Sequence, residues 1–176
     1  MRIISGTLRG KSIVPPARLQ ARPTTDFAKE NLFNILANRF DFETSRVLDL
    51  FAGTGSISYE FASRGCMHID CVEMNPLHYA FIKQTIQQFG LTRIHAVRHN
   101  VFDFLKICTT QYDIIFADPP FELKGIEAIP DLIFQHHLLL DGGVFILEHV
   151  QKYDFGNRPH FKQSRTYGSL CFSFFE

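Results

Sequence analysis

The chain has 176 residues, a length that one domain with a substantial core accommodates. Its 18 basic and 18 acidic side chains cancel, which excludes a nucleic-acid binder held by bulk charge alone, and no apolar run approaches the roughly 18 residues of a membrane span. Cys66, Cys71, Cys108 and Cys171 form no C-x-x-C pair, so a reduced, cytoplasmic chain without a metal site is expected.

The charge is unevenly spread. Residues 1–25 carry five bases and no acid, residues 26–150 stand at −7 and residues 151–176 at +2. A polyanion should therefore meet the ends of the chain. Residues 1–14 read as extended with Gly6 and Gly10 as turn points, Pro15-Pro16 marks a linker, and 1–24 forms a basic arm on a single domain spanning 1–176.

Beyond the arm, helical and extended patterns alternate. A helix over 26–39 repeats Ala28, Leu32, Ile35 and Leu36 on one face, with Thr25 or Asp26 as its cap. Strand 47–51 runs into Gly53-Thr54-Gly55 and a helix over 56–64; strand 69–73 leads to a helix over 76–89, which Pro76 starts and Gly90 stops. Strand 94–97, helix 101–108, strand 112–117, helix 125–137 and strand 143–148 continue the pattern. Lys162–Tyr167 and Ser169–Phe175 then read as a hairpin about Gly168. Such alternation specifies a parallel sheet covered on both faces.

Chemistry concentrates at the strand ends. Gly53 and Gly55 allow close approach of a ligand to the backbone, and the helix start behind them offers N–H groups. A dinucleotide fingerprint wants a third glycine where Ser58 stands, which argues against a nicotinamide cofactor. Asp49 is an odd residue for a core strand and a natural partner for an ammonium group. Glu73, 24 residues further on, is placed to accept from ribose hydroxyls. Asn100 can meet an adenine edge or cap the helix that starts at Val101. Asp118-Pro119-Pro120-Phe121 follows an apolar strand and offers a carboxylate, carbonyls without competing N–H groups, and a ring to stack on a base. Together these features point to S-adenosylmethionine and a nitrogen methyl acceptor held at Asp118.

The residues Met1-Arg2-Ile3-Ile4-Ser5-Gly6, Arg9-Gly10-Lys11, Arg22-Pro23-Thr24-Thr25-Asp26, Leu32-Phe33-Asn34-Ile35-Leu36, Leu48 to Gly55, Asp118 to Phe121 and Tyr167-Gly168 carry a further signal. With them the chain resembles the bacterial 16S ribosomal RNA guanine-N2 methyltransferases. The resemblance implies an α/β, Rossmann-like class I methyltransferase fold, with a seven-stranded, mostly parallel sheet, an antiparallel last strand and helices on both faces. It implies S-adenosylmethionine contacts at Asp49, Phe51, Ala52, Gly53, Thr54, Gly55, Glu73, Asn100 and Val101. Asp118, Pro119, Pro120 and Phe121 would then be catalytic. Arg2, Arg9, Lys11, Arg22, Thr24 and Tyr167 would meet ribosomal RNA or a small-subunit assembly particle, and the enzyme would act as a monomer. Phe27 and Lys29 stand where the family often has Arg, and Asn100 where related enzymes often have Asp. The rival readings are methyl transfer to another amine, such as adenine N6 or a protein glutamine, and a binding module without catalysis.

Overall fold

The computed structural model describes residues 1–19 and 25–176; the expected RNA residues Arg22 and Thr24 lie outside them. The elements are α1 (Asp26–Ala37), β1 (Arg46–Leu50), α2 (Ser56–Ser63), β2 (His68–Val72), α3 (Pro76–Phe89), β3 (Ile94–Val97), α4 (Val101–Ile107), β4 (Tyr112–Ala117), α5 (Ala128–Gln135), β5 (Leu139–Val150), β6 (Phe161–Tyr167) and β7 (Leu170–Phe175). They follow the expected order closely. β5 begins earlier than the apolar pattern indicates, because the Gly142-Gly143 interruption is absorbed within the strand, beside a register shift between Tyr112 and Ile114. A 3-10 turn, Ala17–Leu19, follows the Pro15-Pro16 linker.

The seven strands are ordered β3-β2-β1-β4-β5-β7-β6. β1 to β5 pair in parallel, and β7 runs antiparallel to both its neighbours, so the antiparallel last strand is present. Successive side chains on a strand point to opposite faces, and the two sides of the sheet are both apolar. Val47, Ile114, Phe116, Val144, Ile146 and Phe172 pack with residues of α1, α2 and α3. Leu48, Ile115, Ala117, Phe145, Leu147 and Phe175 pack with Val101 and Leu105 of α4 and Ile129 and Ile133 of α5. Burial on two faces explains why these strands read as continuous apolar runs.

Helix ends follow local chemistry. Thr25 Oγ1 accepts from the Ala28 N–H of α1 at 3.2 Å. Asn75 Oδ1 accepts from the Leu77 N–H at 2.9 Å, Pro76 occupies the first turn, and Gly90 ends α3 with φ 63°.

The N-terminal segment turns back on itself. The Ile3 N–H donates to Lys11 O at 3.0 Å, and the Ile13 N–H to Met1 O at 2.9 Å. The apolar residues Ile3 and Ile13 enter the core, while Arg9 and Lys11 stay exposed. Buried Glu60 of α2 fastens this hairpin, accepting from the Ile4 N–H at 2.8 Å, the Ser5 N–H at 3.0 Å and Arg64 Nε at 2.8 Å. Lys29 is buried as well, and its Nζ donates to Arg2 O at 2.6 Å. Burial lowers its pKa, with Glu60 and Asp26 opposing that shift. Lys29 thus works as an internal anchor for the arm.

Gly6 shows how closely the arm lies on α2. Its φ is +81°, and a Cβ there would stand 1.9 Å from Ser63 O. Gly6→Ala is expected to destabilise the chain by about 1–3 kcal/mol through overpacking and left-handed strain. Urea unfolding measures this, and an unchanged midpoint would mean that the arm yields without cost.

Candidate active site

β1 and β4 are neighbours in register, Leu50 opposite Ala117, and the Asp118 N–H donates to Leu50 O at 3.3 Å. This pairing sets the glycine loop beside Asp118-Pro119-Pro120. β2 lies on the other side of β1, with Val72 opposite Leu50, so Glu73 emerges next to the same loop. The three strand ends open into one cavity of about 510 Å³.

The cavity collects nearly all the expected cofactor and catalytic residues. Asp49, Phe51, Ala52, Gly53, Thr54, Glu73, Asn100, Val101, Asp118, Pro119, Pro120 and Phe121 line it. Gly55 does not line it; with φ 86° it turns the chain into α2, and a Cβ would stand 2.6 Å from the Tyr59 ring. Gly53 differs: its φ is +55°, and a Cβ would find only Phe51 O, at 4.0 Å. A side chain at Gly53 would be strained by its backbone. Phe51, a non-glycine residue, is itself left-handed with φ 58°, a local cost that the surrounding structure sustains at the mouth of the loop.

Each acid has a distinct setting. Glu73 accepts from the Gly53 N–H through Oε2 at 2.7 Å and from the Asn75 N–H through Oε1 at 2.7 Å. Each oxygen keeps a second lone pair. Asp49, 1% exposed, accepts from the Ser58 N–H at 3.1 Å and from Ser58 Oγ at 2.6 Å. It thereby serves as an N-terminal cap for α2 from an adjacent strand, which accounts for serine at position 58. Burial pushes its pKa up to about 7 against the pull of the Ser58 hydrogen bonds, with the Glu73 charge adding to the rise. Asp118 is also held well above the usual carboxylate range, first by burial and then by the charges of Glu148 and Asp49.

Asn100 caps α4, its Oδ1 accepting from the Phe102 N–H at 2.9 Å and the Asp103 N–H at 3.3 Å. The residue also lines the cavity. Phe121, 37% exposed, stands at its edge.

Among the described residues, the expected RNA contacts Arg2, Arg9, Lys11 and Tyr167 are not part of the cavity lining. Arg2 pairs with Asp26 at 3.2 Å. The half-buried Tyr167 packs at 5.4 Å from the Phe172 ring and 6.1 Å from that of Phe27. Sequence reasoning missed Glu148, a fourth carboxylate in the lining. It ends an apolar strand as Glu73 follows one, and that position was the available signal. With four acids and no lysine or arginine among the described residues of the lining, the cavity suits a cation or a set of hydrogen-bond donors.

The strand order with its antiparallel β7, the glycine loop and the Asp-Pro-Pro-Phe edge together define a Rossmann-like class I methyltransferase. The sequence model described as "Conserved hypothetical protein 95" matches residues 1–176, and the chain belongs to that family. It is 30% identical over 148 residues to the Escherichia coli K12 protein named ribosomal RNA small subunit methyltransferase D, covering 84% of this chain and 74% of that one. A solved structure described as a putative methyltransferase from Escherichia coli superposes with a TM-score of 0.86 at 26% identity, over 99% of this chain and 96% of that one. The Thermus thermophilus 16S rRNA N2 G1207 methyltransferase, solved with AdoMet and guanosine, shares the fold with a TM-score of 0.68 at 22% identity, covering 89% of this chain and 44% of that one.

The raised pKa of Asp49 has a signed consequence for stability. Its ordinary value is 3.8 and its folded value about 7, so between them the folded chain holds a proton that the unfolded chain has released. The associated stabilisation is complete below about 3.8 and is lost as pH rises through about 7. Urea unfolding across that window should show wild type losing stability relative to Asp49→Asn, which has no such proton. Parallel profiles would show that Asp49 ionises as freely in the fold as outside it.

Proposed function

We propose that the chain transfers a methyl group from S-adenosylmethionine to the exocyclic N2 of a guanine in small-subunit ribosomal RNA. The observation that carries this reading is the opening of the Asp118-Pro119-Pro120 edge and the glycine loop into one acid-lined cavity. Family membership supports methyl transfer, and the name of the Escherichia coli relative supports ribosomal RNA as the substrate.

The residues present fit the cofactor. Gly53 leaves room for a ligand against the backbone, Glu73 can accept from ribose hydroxyls with its remaining lone pairs, and the carboxylates oppose the charge of a sulfonium and an ammonium. S-adenosylmethionine, when bound, supplies an electrophilic methyl group and leaves as a neutral thioether.

The chain's own contribution is positioning and proton handling. An exocyclic base amine is a poor nucleophile because its lone pair is delocalised into the ring. Asp118 and the Pro119 carbonyl accept its N–H bonds and favour a pyramidal nitrogen, and Phe121 stacks on the base. Positive charge in the cavity lowers the pKa of Asp118 and so favours its carboxylate. That carboxylate is placed to take the proton released as the new N–C bond forms, and burial makes it a stronger base than a solvated aspartate. The target base must be flipped or unpaired to reach it.

The roles separate experimentally. Glu73→Ala and Gly53→Val should weaken S-adenosylhomocysteine binding in calorimetry. Asp118→Ala should preserve that binding and lower single-turnover transfer to small-subunit particles by about 10²–10³. Near-normal transfer by folded Asp118→Ala would reduce the Asp-Pro-Pro-Phe edge to a rigid turn.

RNA binding should respond to salt through the arm. Replacing the exposed Arg9 and Lys11 by Ala should lower the slope of log affinity against log salt by roughly one unit per lost phosphate contact, with cofactor affinity unchanged. An unaltered slope would move the RNA surface away from these residues.

A further inference from the structure

Glu148 sits at the end of the apolar part of β5, is 2% exposed and lines the cavity, yet the mechanism above gives it no part. Its place is fixed on both sides. β4 and β5 are parallel with Ala117 opposite Leu147, which makes Asp118 and Glu148 the next residues along that register. On the other side, Glu148 is opposite Phe172 of β7. Phe116 and Ile146 share one face of the sheet, so Asp118 and Glu148, two residues further along each strand, continue that face. The two neighbouring carboxylates, Glu148 buried and Asp118 half-buried, repel each other, and each loses hydration. Packing alone is better served by an apolar residue at the end of such a strand.

The identity of the base supplies a reason for the pair. An acceptor for one amine, such as Asp118, does not distinguish guanine N2 from adenine N6, cytosine N4 or a glutamine amide. The atoms beside the amine do. Guanine N2 has the N1–H donor on its Watson–Crick side and the N3 acceptor on the other, whereas the amines of adenine and cytosine have no donor beside them, only a ring nitrogen that accepts, and the amide nitrogen has a carbonyl oxygen. Two adjacent carboxylates offer acceptors only, and the prolines at 119 and 120 add no N–H to this edge. Two adjacent donors satisfy such a surface. A donor beside an acceptor leaves one carboxylate facing a lone pair.

We propose that Glu148 accepts the N1–H of the target guanine beside the N2 amine held at Asp118, and so selects guanine over the other amine-bearing acceptors. This rests on the guanine-N2 reading above. It adds a specificity-determining residue to that reading and assigns the buried acid that methyl transfer leaves unused.

The test uses 2-aminopurine, which keeps the N2 amine but has an acceptor at N1 and lacks the 6-oxygen. Small-subunit RNA carries either guanine or 2-aminopurine at the methylated position, located beforehand by mass mapping. Single-turnover transfer is compared for wild type, Glu148→Gln and Glu148→Asp, with S-adenosylhomocysteine titration as the control for folding. Wild type should prefer guanine by about 10- to 100-fold, the range that one discriminating base contact supplies. Glu148→Gln offers an amide donor to the N1 acceptor and should bring the two substrates to within a few-fold, while binding S-adenosylhomocysteine normally. Glu148→Asp keeps a carboxylate and should retain the preference at a lower rate. Loss of the 6-oxygen affects all three enzymes alike, so the change in ratio isolates N1. An equal preference in wild type and Glu148→Gln would overturn the assignment. Absence of transfer from wild type to the guanine RNA would instead overturn the proposed function, so the two failures are distinguishable.

Discussion

The parallel pairing of β1 with β4 is the contact on which the site depends. From β1 the chain builds outward in one direction through β2 and β3, and with β4 it begins to build in the other. At such a reversal the connections leaving the two strands diverge and a crevice opens above their carboxyl ends. Leu50 opposite Ala117 fixes the level of that crevice. The glycine turn after β1, the acid after β2 and the proline edge after β4 face one space because their strands end together. A register slip would turn their side chains to the other face.

Much of this was legible because the sheet is buried on both sides. The strands stood out as short apolar runs, and in an open parallel sheet a polar residue just past such a run belongs to the site. That logic reached Glu73 and Asp118, whereas Asp49 stood out as an acid inside a core strand. The same logic passed over Glu148, although that residue closes the expected strand 143–148 in the same way. The capping role of Asn100 followed from residue type and place, as an amide just before a helix start accepts from its first N–H groups. The start of β5 was misread because paired glycines ordinarily interrupt a strand, whereas Gly142 and Gly143 are carried inside this one.

Contacts distant in sequence left no such trace. Glu60 lies in a helix, where an acid ordinarily faces water, yet it binds two backbone N–H groups of the arm and the Arg64 side chain. Lys29 stood out only as a departure from the resembled family, and it proves to be buried, its Nζ donating to Arg2 O. Removing one member of such a buried set exposes its partners' unmet hydrogen-bonding needs. The arm is fastened to α2, and α2 begins at the glycine loop. One helix therefore supports both the basic surface and the wall of the cavity.

The placement of charge acts on different parts of one ligand in opposite ways. The cavity gathers four acids, while exposed Arg9 and Lys11 stand on the arm. A phosphodiester chain lowers its energy near the arm and raises it near the cavity, over distances comparable to a Debye length of about 8–10 Å. A nucleobase carries no net charge and feels little of that repulsion. On the proposed function, such a field would favour a strand whose backbone stays outside, and would leave the cavity open to a neutral ring that has left the stack.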